Sequence, residues 1–334
     1  MVRTKRRSSG TPDLKSRAAY FVASAMGRFS TLFPISVGYW LSDRCGDVVW
    51  ALVPAYRANV CANLSHAMGR PENSREVRRL SRKVFQYSAR NFFDLMRVAL
   101  LSDDELRAAV YGSKESWDRL EAARQAGKGG IIASAHFGAF DYTGQSIFTH
   151  GYPIISLTTR TVPPFIYRVV TLLRKSHGLT IEEATPSGVR HVLGAIRRGE
   201  FAGLITDRDF FHNGVAVKFF GEETTLPAGP ARIARDSGAP ILAVFTKRLS
   251  KGYILTVEEP FYVERSDDAR RDIREAMQKI VTIFERQIRE SPEQWVMFQR
   301  VWPAVCDPSV APVDNPAEPV VAPYAEGASS VSDN

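Results

Sequence analysis

Residues 129–144 read Gly-Gly-Ile-Ile-Ala-Ser-Ala-His-Phe-Gly-Ala-Phe-Asp-Tyr-Thr-Gly, and the interpretation of the whole chain turns on them. The uncharged run from Ile131 to Ala135 is short, bounded by glycine, and apolar enough for a strand buried on both faces of a parallel sheet. It delivers His136 at its carboxyl end, where open α/β sheets place their ligands. Asp141 follows five residues later, where a helix can begin. A histidine at a strand end, with a carboxylate close enough to hold one ring nitrogen, is the minimum set of groups for general-base catalysis. Each residue also has a plainer use. His136 can be a hydrogen-bonded structural histidine, and Asp141 can cap the following helix by accepting an orphan backbone N–H.

Downstream, strand-like runs recur near residues 154–158, 202–206, 241–246 and 253–257, separated by helical stretches near 142–150, 164–177, 187–198 and 229–238. Such alternation predicts an α/β domain over residues 116–303, a mostly parallel sheet flanked by helices. The runs 241–246 and 253–257, joined through Ser250-Lys251-Gly252, predict an antiparallel hairpin, so the sheet is expected to be mixed. Ile273, Met277, Ile280, Val281, Phe284 and Ile288 share one face of a helix over 268–290. The block 291–302, with Trp295 in it, closes the domain and reads as core packing.

A second constellation follows the strand at 202–206. Asp207-Arg208-Asp209 sets two carboxylates around an arginine, an expensive arrangement unless the charges are paired or functional. Asn213-Gly214-Val215, Lys218-Phe219-Phe220-Gly221 and Leu226-Pro227-Ala228-Gly229-Pro230-Ala231 come next. Their glycines and prolines specify a fixed loop entering a helix whose amino terminus can meet an anion. Taken singly, Phe219 and Phe220 read equally well as core, and Pro227 to Pro230 as a rigid turn.

Upstream, residues 1–17 carry six basic side chains against Asp13 and read as a disordered tail. Residues 18–115 read as a helical region associating with a membrane. Its longest uncharged run, residues 29–42, has 14 residues. That falls short of the roughly 18–20 needed to span a bilayer, which leaves a helix in the cytoplasmic interface beside core helices of an annex and a tilted span. No cleavage site follows a proper signal core, so a secretory signal is not expected. A helix over 75–101 places Val77, Leu80, Val84, Ser88 and Phe92 on one face, with Arg78, Arg79, Arg82 and Lys83 opposite. His66, on the preceding helix, reads as a surface residue.

The chain has 334 residues, 44% of them hydrophobic, and a net charge of +8. The stretch 304–334 holds five acidic residues and no Lys or Arg and reads as a disordered acidic tail, so the body carries about +13. That favours an anionic surface or ligand. Cys45, Cys61 and Cys306 form no Cys-x-x-Cys pair or Cys/His cluster, which argues for a reducing compartment and against a structural metal. There is no GxSxG elbow, no GxxxxGK[ST] loop and no GxGxxG after a strand, which weakens the hydrolase, nucleotide-hydrolase and dehydrogenase readings.

The linked set His136-four residues-Asp141, Asp207-Arg208-Asp209 and Phe219-Phe220-Gly221 resembles the lysophospholipid acyltransferase superfamily. Within it the chain is most similar to bacterial glycolipid acyltransferases, the lipid A lauroyl/myristoyl transferases and the phosphatidylinositol mannoside acyltransferases. The spelling DRD…NGV…FFG…PAGPA leans toward the mannoside branch, since the lipid A branch more often has Asp-Gln-Asp at the first position. The resemblance covers about residues 20–303 and implies a glycerol-3-phosphate acyltransferase-like fold. It also implies transfer of a fatty acyl chain from acyl-CoA or acyl carrier protein, as co-substrate, to a glycolipid hydroxyl, with no cofactor and no metal.

By the same resemblance His136 is the base, with Asp141 or Asp207 holding its tautomer. Arg160, Arg208, Asp209, Phe219, Gly221, Pro227 and Gly229 are implied for substrate binding. For Arg160 the family's Tyr-Arg…Asn-Pro is spelled Thr159-Arg160…Pro163-Pro164 here, which leaves Arg168 or Arg174 as alternatives. The implied partners are an anionic membrane surface, the thioester donor and the glycolipid acceptor, without nucleic acid. The implied location is the cytoplasmic face of the bacterial plasma membrane. Two rivals stand beside this reading. A glycerolipid acyltransferase would show a Pro-Glu-Gly-Thr-like block, which the chain lacks. A basic membrane- or nucleic-acid-binding protein would use His136 only structurally, and recognised nucleic-acid modules are absent.

Overall fold

The computed structural model describes residues 34–159, 163–210 and 213–302, together with positions 21, 25, 27 and 28. Arg160, the basic segment 1–17 and the acidic segment 304–334 lie outside the described residues. The expected α/β architecture is present. Nine strands are described: β1 (Val110–Gly112), β2 (Gly130–Ser134), β3 (Ile154–Thr158), β4 (Thr180–Glu183), β5 (Phe201–Ile205), β6 (Val215–Phe219), β7 (Glu222–Leu226), β8 (Ile241–Arg248) and β9 (Tyr253–Val257). Seven form one sheet in the order β1-β9-β8-β2-β5-β3-β4. Every neighbouring pair is parallel except β8 and β9, the hairpin expected from Ser250-Lys251-Gly252.

Three elements escaped the sequence pattern. The edge strands β1 and β4 are too short and polar to show an apolar run; β4 buries only Ile181. The antiparallel hairpin β6–β7 pairs only with itself, outside the main sheet. β1 lies before residue 116, so the sheet begins a few residues ahead of the expected domain start.

Alternation along the central strands splits the core into two layers. Ile131, Ala133, Phe245 and Leu204 face helices α8 (Pro186–Arg197), α9 (Gly229–Ser237) and α10 (Ala269–Glu290). Ile132, Val244 and Phe201 face α4 (Asp103–Ala109), α5 (Lys114–Gln125), α6 (Phe140–Thr149), α7 (Pro164–Arg174) and the carboxyl half of α3 (Arg75–Val98). On α10 the six apolar residues expected at the core are all buried.

A helical layer made of α1 (Ile35–Leu52), α2 (Pro54–Met68) and α3 closes one side. Gly38, Ser42 and Gly46 recur every four residues on α1 and are the residues it buries, so small side chains let it lie close against α3. A Cβ on Gly46 would stand 2.7 Å from Gln86 Cα, and one on Gly38 would run into the Phe93 ring. Paired arginine forks seal the same seam: Arg90 donates to Asp43 at 2.7 and 2.6 Å, and Arg82 to Asp47 at 2.6 and 2.7 Å. The outward face of α1 carries Trp40, Leu41, Val48, Val49 and Leu52, all exposed. No described helix is long and apolar enough to cross a membrane.

The stripe expected on α3 holds for Val77, Leu80 and Val84, but Phe92 is exposed while Asn91 and Asp94 are buried. The amino half of α3 packs on α2 and its carboxyl half on the α/β domain, so the buried face rotates along the helix. Hydropathy cannot see the change because the second half buries polar groups that find partners across the interface. His66 is partly exposed, as a surface position would be, but its ring is engaged: it stacks on Trp302 at 4.2 Å and bonds Glu222 at 2.8 Å. Because the seam between α1 and α3 has no room for a side chain, Gly46→Val is expected to cost about 1–3 kcal/mol of stability, as overpacking does. Urea unfolding of the two proteins measures it; an unchanged midpoint would show that the helices can separate freely.

Candidate active site

β2 and β5 lie side by side in parallel register, with Ser134 opposite Ile205. Two residues further along the same pleat, His136 and Asp207 emerge on one face of the sheet at its carboxyl edge. The Asp207 carboxylate accepts three hydrogen bonds. The His136 backbone N–H donates to Oδ2 at 2.8 Å, the Trp295 indole N–H donates to Oδ2 at 2.9 Å, and Nδ1 of the His136 ring sits 2.7 Å from Oδ1. Asp207 has no exposed side-chain surface, whereas the His136 side chain is 33% exposed.

Burial alone would raise the Asp207 carboxyl. The charge and ring bond of His136, the indole and the backbone N–H outweigh burial and hold the group below its ordinary value. Asp207 is therefore an acceptor only, and the proton between it and Nδ1 belongs to the imidazole. That fixes the tautomer and leaves Nε2 as the nitrogen with a lone pair, on a ring that reaches solvent.

The segment after His136 is pinned on every side. Val296 N–H donates to the His136 carbonyl at 2.8 Å, Gly138 N–H to the Gln294 carbonyl at 2.8 Å, and Ala139 N–H to the Thr246 carbonyl at 2.8 Å. The Asn91 side-chain amide donates to the Gly138 carbonyl at 2.7 Å. Gly138 has φ +58°, and a Cβ there would collide with the Thr246 carbonyl, so the turn that presents His136 requires glycine.

Asp141, in the first turn of α6, accepts from Arg174 Nε at 2.6 Å and makes no bond to His136; of the two carboxylates left open for the imidazole, Asp207 is the one against it. Arg208 is half-buried beside Asp207 with its guanidinium 5.0 Å over the Phe210 ring; burial lowers its pKa, and the Asp207 charge works against that. Asp209 accepts from the backbone N–H groups of Asn213 and Gly214, at 3.3 and 2.9 Å, and so ties its own loop.

Phe219 is fully buried against Trp295 and Trp302, so it backs the indole that holds Asp207. Phe220 and Gly221, at φ 52° and 86°, form the two-residue turn of the β6–β7 hairpin. Pro227 and the exposed Gly229 lead into α9. Because β8 starts directly after α9 and runs parallel to β2, the amino end of α9 points to the edge of the sheet that carries His136. Trp295, in a block expected to serve core packing, also donates its indole N–H to Asp207, and the signal available was the tryptophan of that closing block.

The model of the bacterial lipid A biosynthesis acyltransferases matches residues 11–303. The chain belongs to that family. Among similar proteins, the phosphatidylinositol mannoside acyltransferase of Mycolicibacterium smegmatis is 31% identical over 190 residues, 55% of this chain and 60% of that one. That of Mycobacterium tuberculosis is 28% identical over 190 residues, 55% of this chain and 58% of its own length. The lipid A biosynthesis acyltransferase of Haemophilus influenzae is 28% identical over 218 residues, 64% of this chain and 65% of its own length. The matched stretches thus span less than two thirds of each of these relatives. The family match takes in α1 to α3 as well as the sheet, so the helical layer belongs to the family's body.

An asparagine at position 207 would offer one acceptor where three donors converge, and its NH2 would favour the opposite imidazole tautomer. Asp207→Asn is therefore expected to lower turnover by up to roughly 10⁴-fold with the fold retained; an unaffected rate would remove Asp207 from the site. The carboxylate's folded-state value is depressed, so its stabilisation is full above the unfolded value of about 3.9 and is lost as pH falls through the folded one. The Tm advantage of the wild type over Asp207→Asn should accordingly shrink as the pH falls below about 4. A gap that widened on acidification would mean the carboxyl is not held ionised.

Proposed function

We propose that this protein moves a fatty acyl chain from a thioester donor, acyl-CoA or acyl carrier protein, to a hydroxyl of a membrane glycolipid. The acceptor is a phosphatidylinositol mannoside or a lipid A-type molecule, and the DRD…FFG…PAGPA spelling and the mannoside acyltransferase relatives favour the former. The observation that carries the reading is His136, tautomerically fixed by a buried, ionised Asp207 at the carboxyl edge of the sheet, in a chain of an acyltransferase family.

In the proposed reaction Nε2 of His136 removes the acceptor's hydroxyl proton as that oxygen bonds to the thioester carbonyl carbon. The C–S bond then breaks, the thiolate leaves, and the imidazolium returns the proton to sulfur. Asp207 stays ionised throughout and stabilises the imidazolium. Arg208 beside it, with Arg160 as a second candidate, supplies positive charge for a phosphate of either substrate or for the developing oxyanion. The scheme uses no metal and no resident cofactor.

For location we propose the cytoplasmic face of the bacterial plasma membrane. Support comes from the outward face of α1, where Trp40 is 59% and Leu52 73% exposed, and from the basic segment 1–17 upstream of it in the chain. A large apolar face beside a cationic stretch suits an anionic lipid interface.

Purified protein incubated with labelled palmitoyl-CoA and, in turn, mannosylated phosphatidylinositol, lipid A precursor and lysophosphatidate tests the chemistry. Label should enter a glycolipid, and His136→Ala should lose about 10²–10⁴ of the rate, the share general-base catalysis supplies. Labelling of lysophosphatidate instead would move the enzyme to the glycerolipid class, and unchanged turnover in His136→Ala would end the mechanism. In a separate assay, Trp40→Ser with Leu41→Ser should abolish sedimentation with phosphatidylserine-containing vesicles; retained binding would place the membrane contact elsewhere.

A further inference from the structure

A charged cluster lies behind the catalytic segment, in the seam between the helical layer and the sheet. Arg248, at the end of β8, and Asp94, on α3, form an ion pair whose side chains are 1% and 3% exposed. The Asp94 carboxylate also accepts from Tyr39 of α1 at 3.0 Å and from Tyr253 of β9 at 2.8 Å. Burial, with the Asp94 charge adding to it, pushes the Tyr39 phenol up to about 12, so it stays protonated and donates. The Arg248 guanidinium donates to Asn91 Oδ1 at 2.7 Å and to Tyr39 at 2.9 Å. Desolvating such a pair is costly, and replacing it with apolar side chains is often neutral or stabilising. Bulk stability is therefore a poor account of it.

Its connections give a better one. Asn91, held by Arg248 through Oδ1, donates through Nδ2 to the Gly138 carbonyl at 2.7 Å. Gln294 bonds the Arg248 backbone in both directions, its Oε1 accepting at 2.9 Å and its Nε2 donating at 3.0 Å, and the Gln294 carbonyl accepts from Gly138 N–H at 2.8 Å. Both polar groups of Gly138 are thus held by residues that Arg248 itself holds. Gly138 follows His136 by two residues, and the next residue after Gln294 is Trp295, the indole ligand of Asp207.

We propose that Asn91 and Arg248, neutralised by Asp94, are positioning residues for acyl transfer, locking Gly138 so that His136 and Asp207 keep the geometry in which Nε2 reaches the acceptor hydroxyl. The proposal rests on the acyltransfer reading above. A displacement of about 1 Å in a catalytic group can cost about 10²-fold in rate.

Asn91→Asp keeps an acceptor for Arg248 and removes the donor to Gly138. The double variant Arg248→Met/Asp94→Leu removes both charges together, avoiding a stranded one, and serves where the single change fails to fold. Each is assayed for CoA release from palmitoyl-CoA with mannosylated phosphatidylinositol, beside wild type and His136→Ala. We expect kcat to fall about 10- to 100-fold with KM for both substrates within about twofold. Backbone hydrogen exchange over residues 135–140 should speed up while that of α8 is unchanged. Wild-type kcat, or a loss expressed only in KM, would overturn the positioning role provided His136→Ala is inactive. An active His136→Ala, or a wild type that transfers palmitate from neither palmitoyl-CoA nor palmitoyl-acyl carrier protein to mannosylated phosphatidylinositol or lipid A precursor, would sink the reaction assignment instead, and exchange at residues 135–140 unaltered by either variant would overturn the lock by itself.

Discussion

Three hydrogen-bond donors converge on one buried carboxylate, and the geometry of the candidate site follows from that convergence. Asp207 is stable as an anion without solvent only because the His136 ring, the His136 backbone and the Trp295 indole face it together. The donors come from two distant parts of the chain: the end of β2 supplies two, and the block after α10 supplies the third. The register of β2 on β5 brings the carboxylate and the imidazole together, and the closing block completes the shell. The anion in turn decides where the histidine's proton sits, so the chemistry available at Nε2 is set by a carboxylate with no exposed side-chain surface.

The closing block and the helical layer are the frame for this arrangement. Trp295 is seated among Phe219, Phe220 and Trp302, which joins the β6–β7 hairpin to the back of the site. Asn63 of α2 donates to the carbonyls of Met297 and Gln299 at 3.2 and 2.7 Å and accepts from Val301 N–H at 3.1 Å, fastening the closing block to the helical layer. On the other side, α3 contributes Asn91 to the segment after His136. Residues of the helical layer therefore reach both walls of a site built on the sheet, which agrees with a family match that runs through both regions.

α1 has two unlike faces. Its small residues lie against α3, and that close fit requires the bulky residues of the same helix to point outward. Its inner side is fastened to the rest of the body by Asp43–Arg90 and Asp47–Arg82, which leaves the apolar outer face free for the lipid contact proposed above.

The sequence by itself determined the elements whose signal is local. An apolar run bounded by glycine became β2, a repeated spacing of apolar residues became α10, and the turn chemistry of residues 250–252 joined an antiparallel pair. Reading those elements in order was enough to place His136 at a strand end, and the family resemblance left Asp141 and Asp207 as alternative partners for it. Tertiary structure decided the rest, because the deciding partners are distant in the chain and mostly polar. Whether Asp141 or Asp207 met the imidazole depended on the neighbouring of β2 and β5, which no local pattern encodes. Asp141 went to Arg174, 33 residues away, and Asp207 to His136, 71 residues away. Trp295 looked like packing because burial and hydrogen bonding by an indole share one sequence signal. No sequence pattern singles out Asn91, Asp94 or Arg248, because hydropathy registers the cost of burying a charge but not the partner that offsets it. Where contacts are apolar and periodic the sequence speaks for the structure; where they are polar and long-range, only the folded chain brings the partners together.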